Sequence, residues 1–146
     1  MNEHIHFFAE EISYTVKQKN LLRLWISESI QNEGFLPADI NVIFCSDAYL
    51  HKMNVEYLAH DTLTDIITFD YSMENEISGD LFISIDRIRE NAKQFSKKIA
   101  DELHRVIIHG VLHLCRYGDK TEKEKEKMRE KENIYLSRRP DKLRGS

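Results

Sequence analysis

Cysteine is nearly absent from this sequence: only Cys45 and Cys115 occur in 146 residues. Two thiols cannot staple a small secreted scaffold, and free thiols suit a reducing compartment, so a cytoplasmic setting is expected. No apolar run approaches the roughly 18 residues that a spanning helix needs, so no membrane segment is expected. The opening MNEHIHFFAEE lacks a basic stretch followed by an apolar core, and no secretion signal is expected. With two prolines and five glycines, the chain has no interdomain linker and no internal repeat. Positive charge is not in excess either. The formal net charge is −4, which argues against a protein that coats nucleic acid nonspecifically, although a local basic patch is compatible with it.

What remains is an ordinary globular composition, 41% hydrophobic and 32% charged, in a chain long enough to bury one core. Residues 1–138 are read as one domain and 139–146 as a short, basic, mobile tail. Ile5 to Phe8 reads as an edge strand. Lys17 to Asn32 places Leu21, Leu22, Leu24, Trp25 and Ile30 at helical spacing, and Gly34 stops it. Ile40 to Cys45 is β-branched and aromatic, a buried strand. Ser46 and Asp47 suit the cap of a helix to about Asn54, with Glu56 to Thr64 as a loop. Asp65 to Tyr71 reads as a central strand and Gly79 to Ser84 as its hairpin partner, with Met73 to Ser78 as the turn. Ile85 to Phe95 is amphipathic. Ser96 is the expected cap of a helix over Lys97 to Cys115 that is apolar nearly all round, the mark of a buried central element. Thr121 caps a last helix to about Leu136. The expected class is α+β: a small mixed sheet of about four strands packed with helices, the central one carrying the histidine pair described next.

That central segment ends HGVLHLCRYGD. His109 and His113 stand four residues apart, and Asp119 follows six residues after the second. Positions i and i+4 of a helix lie about 40° apart on one face, so two imidazoles there can reach one ion. A carboxylate arriving after the helix end can supply a third ligand. Two His and one carboxylate with an open fourth position make a catalytic rather than a structural zinc site. A bare HxxxH arises readily by chance, but three features argue for a site. The pair sits in the most apolar stretch, where imidazoles need partners. Gly110 interrupts the helix between them at a cost of about 1 kcal/mol, which implies a packing or access reason. Gly118 lets the chain curl back before Asp119. His104 lies about 140° round from His109 and is expected to be a solvated surface residue. His4, His6, His51 and His60 lack partner spacing. Where zinc peptidases of the HExxH kind carry a Glu general base, this chain has Gly110, so that reading loses its base.

HGVLHLCRYGD, together with TDIITF (Thr64 to Phe69) and GDLFIS (Gly79 to Ser84), resembles the YbeY family of bacterial metal-dependent endoribonucleases. That family carries HGxLHLxGYDH after TDVLSF and GDI blocks in the same order. The resemblance runs from about Asn54 to Leu136, and Met128 and Glu132 fit a late M…E spacing. It implies an α+β fold, one Zn2+ ion (with other divalent metals as alternatives), and cleavage of single-stranded RNA. The implied setting is 3′-end maturation of the small-subunit (16S) rRNA and ribosome quality control, with the small ribosomal subunit as a partner. His109 and His113 match the first two metal histidines. Asp119 stands where the family has a third histidine, and Lys120 lies one beyond. Arg116 replaces the motif's glycine, and Leu58 stands where an NxxYR context places an arginine. Arg116 or Lys120 is expected to supply that charge to the phosphoryl oxygens. Asp65 and Asp80, heading their strands, are candidates for orienting the histidines through hydrogen bonds. Glu102 is a proton-transfer candidate, Cys115 is expected to be a core residue, and the TEKEKEKMREKE run a solvated helix face with some prospect of touching RNA. Two other readings stay open: a non-catalytic ribosome-assembly or RNA-binding factor with a structural metal, and a metal-dependent hydrolase of another substrate.

Overall fold

The structure is a computed structural model that describes residues 4–58 and 64–144. The chain runs β1 (Ile5–Glu10), α1 (Lys19–Asn32), β2 (Leu36–Cys45), α2 (Asp47–Leu58), β3 (Ile66–Asp70), β4 (Glu76–Ser84), α3 (Ile85–Gln94), α4 (Ile99–Leu114), α5 (Glu122–Ser137) and α6 (Asp141–Arg144). The four strands form one mixed sheet in the order β1-β2-β4-β3. β1 pairs parallel to β2 and β2 parallel to β4, while β3 returns antiparallel to β4. The expected α+β class with a mixed four-stranded sheet is therefore what the chain adopts. His60 and the rest of the expected loop after residue 58 lie outside the described residues, up to residue 63.

Strand alternation sorts the two sheet faces. Ile40, Val42, Leu81 and Ile83 are fully buried on the face covered by α1 and α4. On the opposite face Cys45 and Ile67 form a smaller cluster with Leu50 of α2, with Phe69 and Phe82 packed against it. Gly79 and Gly110 set the approach of α4 to the sheet. A Cβ at Gly79 would sit 2.5 Å from the Phe69 carbonyl oxygen and 2.7 Å from Leu114 Cδ2, and one at Gly110 would sit 2.7 Å from Ile66 Cδ1. Gly110 therefore has the packing reason its cost implies, and its absent side chain lets α4 lie flat on β3 and β4.

Several expectations need correction. β3 is an edge strand rather than a central one, because β4 inserts beside β2. β2 begins at Leu36, taking in Pro37, since a register shift between Pro37 and Ile40 absorbs the residue that lacks an N–H. α2 continues to Leu58, beyond Asn54. Ser96 is not the cap of α4; it has a positive φ of 53°, and Lys98 occupies the cap position without a side-chain bond. Thr121 does cap α5, in a reciprocal box with Glu124.

The segment expected to be a mobile tail is packed as far as residue 144. Leu143 is fully buried, and Arg139 bonds Asp101 at 3.0 Å, so one apolar anchor and one ion pair tie α6 down. His104 is likewise buried rather than solvated. Trp25 of α1 lies 5.8 Å from its ring, and Arg139 Nη1 donates to its Nδ1 at 2.8 Å. Both α1 and the returning chain cover the face of α4 that a single-helix argument leaves open. Burial first, and then the Arg139 charge, push the His104 pKa down to about 4.

Between that value and the ordinary value near 6.5, the unfolded chain binds a proton at His104 that the folded chain refuses. Stability is thus full above this window and falls as pH drops through it. In urea unfolding at pH 7 and pH 5, the wild type should lose on the order of 1–2 kcal/mol more than a His104→Gln variant. Equal losses in the two proteins would contradict a buried neutral imidazole.

Candidate metal centre

The last turns of α4 carry His109 and His113 on one face, as the spacing requires. After Leu114 the chain turns through Arg116, whose φ of 78° is left-handed. The Arg116 N–H bonds the His113 carbonyl and the Tyr117 N–H bonds the Leu112 carbonyl, closing the helix end. A left-handed position favours glycine, which accounts for the residue the motif has there. Here the arginine is held by its side chain: the guanidinium lies over the Phe35 ring at 4.9 Å and donates to the Glu74 carbonyl. The turn brings Asp119 back over the helix end. Glu124 secures it by accepting from the backbone N–H groups of Lys120 and Thr121 at 3.1 and 3.0 Å.

Three ligand atoms converge. His109 Nε2 and His113 Nε2 are 3.0 Å apart, and Asp119 Oδ2 lies 3.2 Å from each. Four-coordinate zinc with bonds near 2.0–2.1 Å separates its ligand atoms by about 3.3 Å. The other ring nitrogens fix the tautomers. His113 Nδ1 faces the Tyr117 carbonyl at 2.9 Å, and His109 Nδ1 faces Glu132 Oε2 at 2.7 Å. Both partners only accept, so both Nδ1 atoms carry hydrogen. In the neutral rings the Nε2 lone pairs then point at each other and at a carboxylate oxygen. Only a cation or a proton makes that arrangement favourable, and the donor set fits a divalent metal ion.

Glu132 is buried in α5 and joins two groups. One carboxylate oxygen accepts a hydrogen bond from His109 Nδ1–H, and the other accepts from Arg105 Nη1 at 2.8 Å. Burial raises the Glu132 pKa, but the bonds from His109 and Arg105 outweigh it and hold the carboxyl below its ordinary range. For His109 burial acts downward, yet Glu132, Asp119 and Asp65 prevail and hold its pKa above the usual imidazole value. A proton on His109 therefore competes with a metal ion, and metal affinity rises with pH.

A cleft of about 410 Å³ opens beside these residues. Asp65 and Glu102 line it, each held above the ordinary carboxylate range, first by burial. Asp65 thus shares the cleft with His109 but bonds neither histidine. Asp80 does not reach the site. It lies on the opposite sheet face, accepting from Asn41 Nδ2 at 3.0 Å, because the alternation of β4 turns Gly79 and Leu81 toward α4. Arg116 is committed to Phe35 and Glu74, and Lys120 is exposed outside the cleft lining. The cations that line the cleft are instead Arg105, Lys125 and Arg129. Sequence reasoning missed these three and left Glu132 without a role. The signal for Lys125, Arg129 and Glu132 was their one-face spacing inside a run whose alternating charges look uniformly solvated; Arg105, on α4, had no such signal. Cys115 is buried, and burial pushes its thiol up to about 12, so it is a core residue and no ligand.

The family model described as Endoribonuclease YbeY matches residues 4–139. The chain belongs to the YbeY endoribonuclease family. It is 49% identical over 133 residues to the endoribonuclease YbeY of Christiangramia forsetii, covering 91% of this chain and 92% of that protein. It is 49% identical over 138 residues to that of Cytophaga hutchinsonii, covering 94% and 96%. Among solved structures, the solution structure of TM1509 from Thermotoga maritima matches with a TM-score of 0.65 at 28% identity, covering 91% of this chain and 87% of that one. The YbeY family is one of nuclease hydrolases, and RNA is the substrate its name implies. Among the described residues no helix is long and apolar enough to cross a membrane.

Removing the Glu132 carboxylate tests the site's support. Glu132→Ala should weaken divalent-metal affinity by about 10–100-fold, measured by chelator competition, with Glu132→Gln intermediate. An unchanged affinity would mean that Glu132 does not orient His109.

Proposed function

We propose that this chain is a single-metal endoribonuclease that cleaves single-stranded RNA, with His109, His113 and Asp119 holding Zn2+ or a similar divalent ion. The observation that carries the reading is the convergence of three electron-pair donors within 3.0–3.2 Å, with both Nδ1 hydrogens already committed elsewhere. When bound, such an ion polarises a phosphoryl oxygen and makes a water more acidic. The chain's own residues do the rest. Glu132 keeps His109 in the ligating tautomer. Lys125 and Arg129 draw the phosphodiester into the cleft and, with the Arg105 guanidinium held beside them by Glu132 and Asn133, stabilise charge developing on its oxygens, the part expected of Arg116 or Lys120. Asp65 and Glu102, which retain protons more readily than ordinary carboxyls, are placed to protonate the leaving oxygen. The resemblance further supports 16S rRNA 3′-end maturation and ribosome quality control in the cytoplasm as the setting.

His113→Ala should lose stoichiometric metal and reduce cleavage of a single-stranded RNA by at least about a hundredfold. Chelation should abolish wild-type cleavage and added Zn2+ should restore it. A metal-free His113→Ala protein that cuts at the wild-type rate would refute the assignment.

A further inference from the structure

Three clefts adjoin on the helical side of the molecule, and two cations join them. Arg105 lines both the metal cleft and a groove of about 440 Å³ between the start of α4 and the end of α5. Lys98 lines that groove and also a third, more apolar cleft beside Tyr14. The groove is walled by Lys97, Lys98, Arg105, Arg139 and Arg144, with Asp101 as the one acid among its described lining residues. The cleft beside Tyr14 adds Lys17 and Arg89, and its described lining contains no acid. The linings of these two clefts are far more basic than the chain as a whole, whose net charge is −4.

The basic tail explains part of this run. Arg139 is spent on Asp101 and His104, and with buried Leu143 it pins α6 so that Arg144 joins the groove wall. Lys97, Lys98 and Arg144 are exposed, and their side chains have no ion pair or hydrogen bond among the described residues. At the far end, Ile99 is 47% exposed beside half-buried Tyr14, whose ring carries the Arg89 guanidinium at 5.9 Å, an apolar shelf bordered by cations.

We infer that the RNA strand, on leaving the metal cleft, runs over Arg105 along the first turns of α4, with its phosphates on Lys97, Lys98 and Arg144 and a base in the cleft beside Tyr14. This rests on the reading of the metal centre as an RNA-cleaving site. From His109 back to Lys98 the helix rises about 16 Å, the reach of a few nucleotides. Serial phosphate contacts release counterions, and an apolar shelf accepts a base of any identity, the combination used for sequence-tolerant single-strand binding. An acidic protein segment would meet the same cations, but only a strand being cut requires them to be continuous with the metal cleft.

The test is binding of a labelled single-stranded RNA of about twelve nucleotides by fluorescence anisotropy in chelator, across 50–200 mM salt, beside cleavage of the same RNA by the metal-loaded protein. A Lys97→Ser, Lys98→Ser, Arg144→Ser variant should bind about tenfold or more weakly, with a log–log salt slope shallower by roughly 2. Lys97→Arg with Lys98→Arg should bind like wild type, whereas Lys52→Ser, which removes a charge on the opposite sheet face, should change affinity less than about twofold. A triple variant with wild-type affinity and slope, in a protein that still cleaves, would overturn the track alone. Loss of polyglutamate binding with RNA binding intact would also overturn it and assign the cations to an acidic partner. A wild type that neither binds nor cuts RNA would bring down the track together with the endoribonuclease reading.

Discussion

Two imidazole lone pairs and a carboxylate oxygen aimed at one point form an arrangement that repels itself. Its persistence in a fold requires that each ring be locked from behind and that positive charge occupy the centre. The Tyr117 carbonyl locks His113 and Glu132 locks His109. The two locks differ in kind. The carbonyl belongs to the turn that ends α4, so it comes with the helix terminus. Glu132 belongs to another helix, so the α4–α5 packing is itself a condition of the site.

That packing depends in turn on how closely α4 sits on the sheet. Gly79 and Gly110 remove the two side chains that would hold the helix away from β3 and β4. With α4 set low, Asp65 at the start of β3 comes into the same cleft as His109, and burial holds it and Glu102 toward their protonated forms. The left-handed turn at Arg116 then returns Asp119 to the helix end. An arginine tolerates that conformation because stacking on Phe35 and a bond to the Glu74 carbonyl offset its strain, which costs about 1–2 kcal/mol. The cation expected to serve the reaction serves the turn instead.

How much of this was legible in the sequence follows from range. The existence and order of the strands and of the first five helices, and the placing of His109 and His113 one turn apart on α4, are local patterns of period two or 3.6 and were legible, whereas the bounds of β2 and α2 and the existence of α6 were not. The α5 cap read correctly because Thr121 and Glu124 lie three residues apart. Much of what depended on a distant partner did not read: His104 and Leu143 are buried by segments far along the chain, and β3 is an edge strand because of where β4 inserts. Asp80 looked like a site residue by its place in a motif, but strand alternation sends it to the other face. Glu132 was visible only as a spacing, since the opposite charges around it made its face look solvated.

X-ray absorption spectroscopy on the protein loaded with Zn2+ addresses the centre most directly. The account predicts one ion per chain, bound by two imidazole nitrogens and by oxygen at about 2.0–2.2 Å, with no sulfur ligand. Failure to bind one ion per chain, or a zinc–sulfur distance near 2.3 Å that would bring in a cysteine, would contradict it.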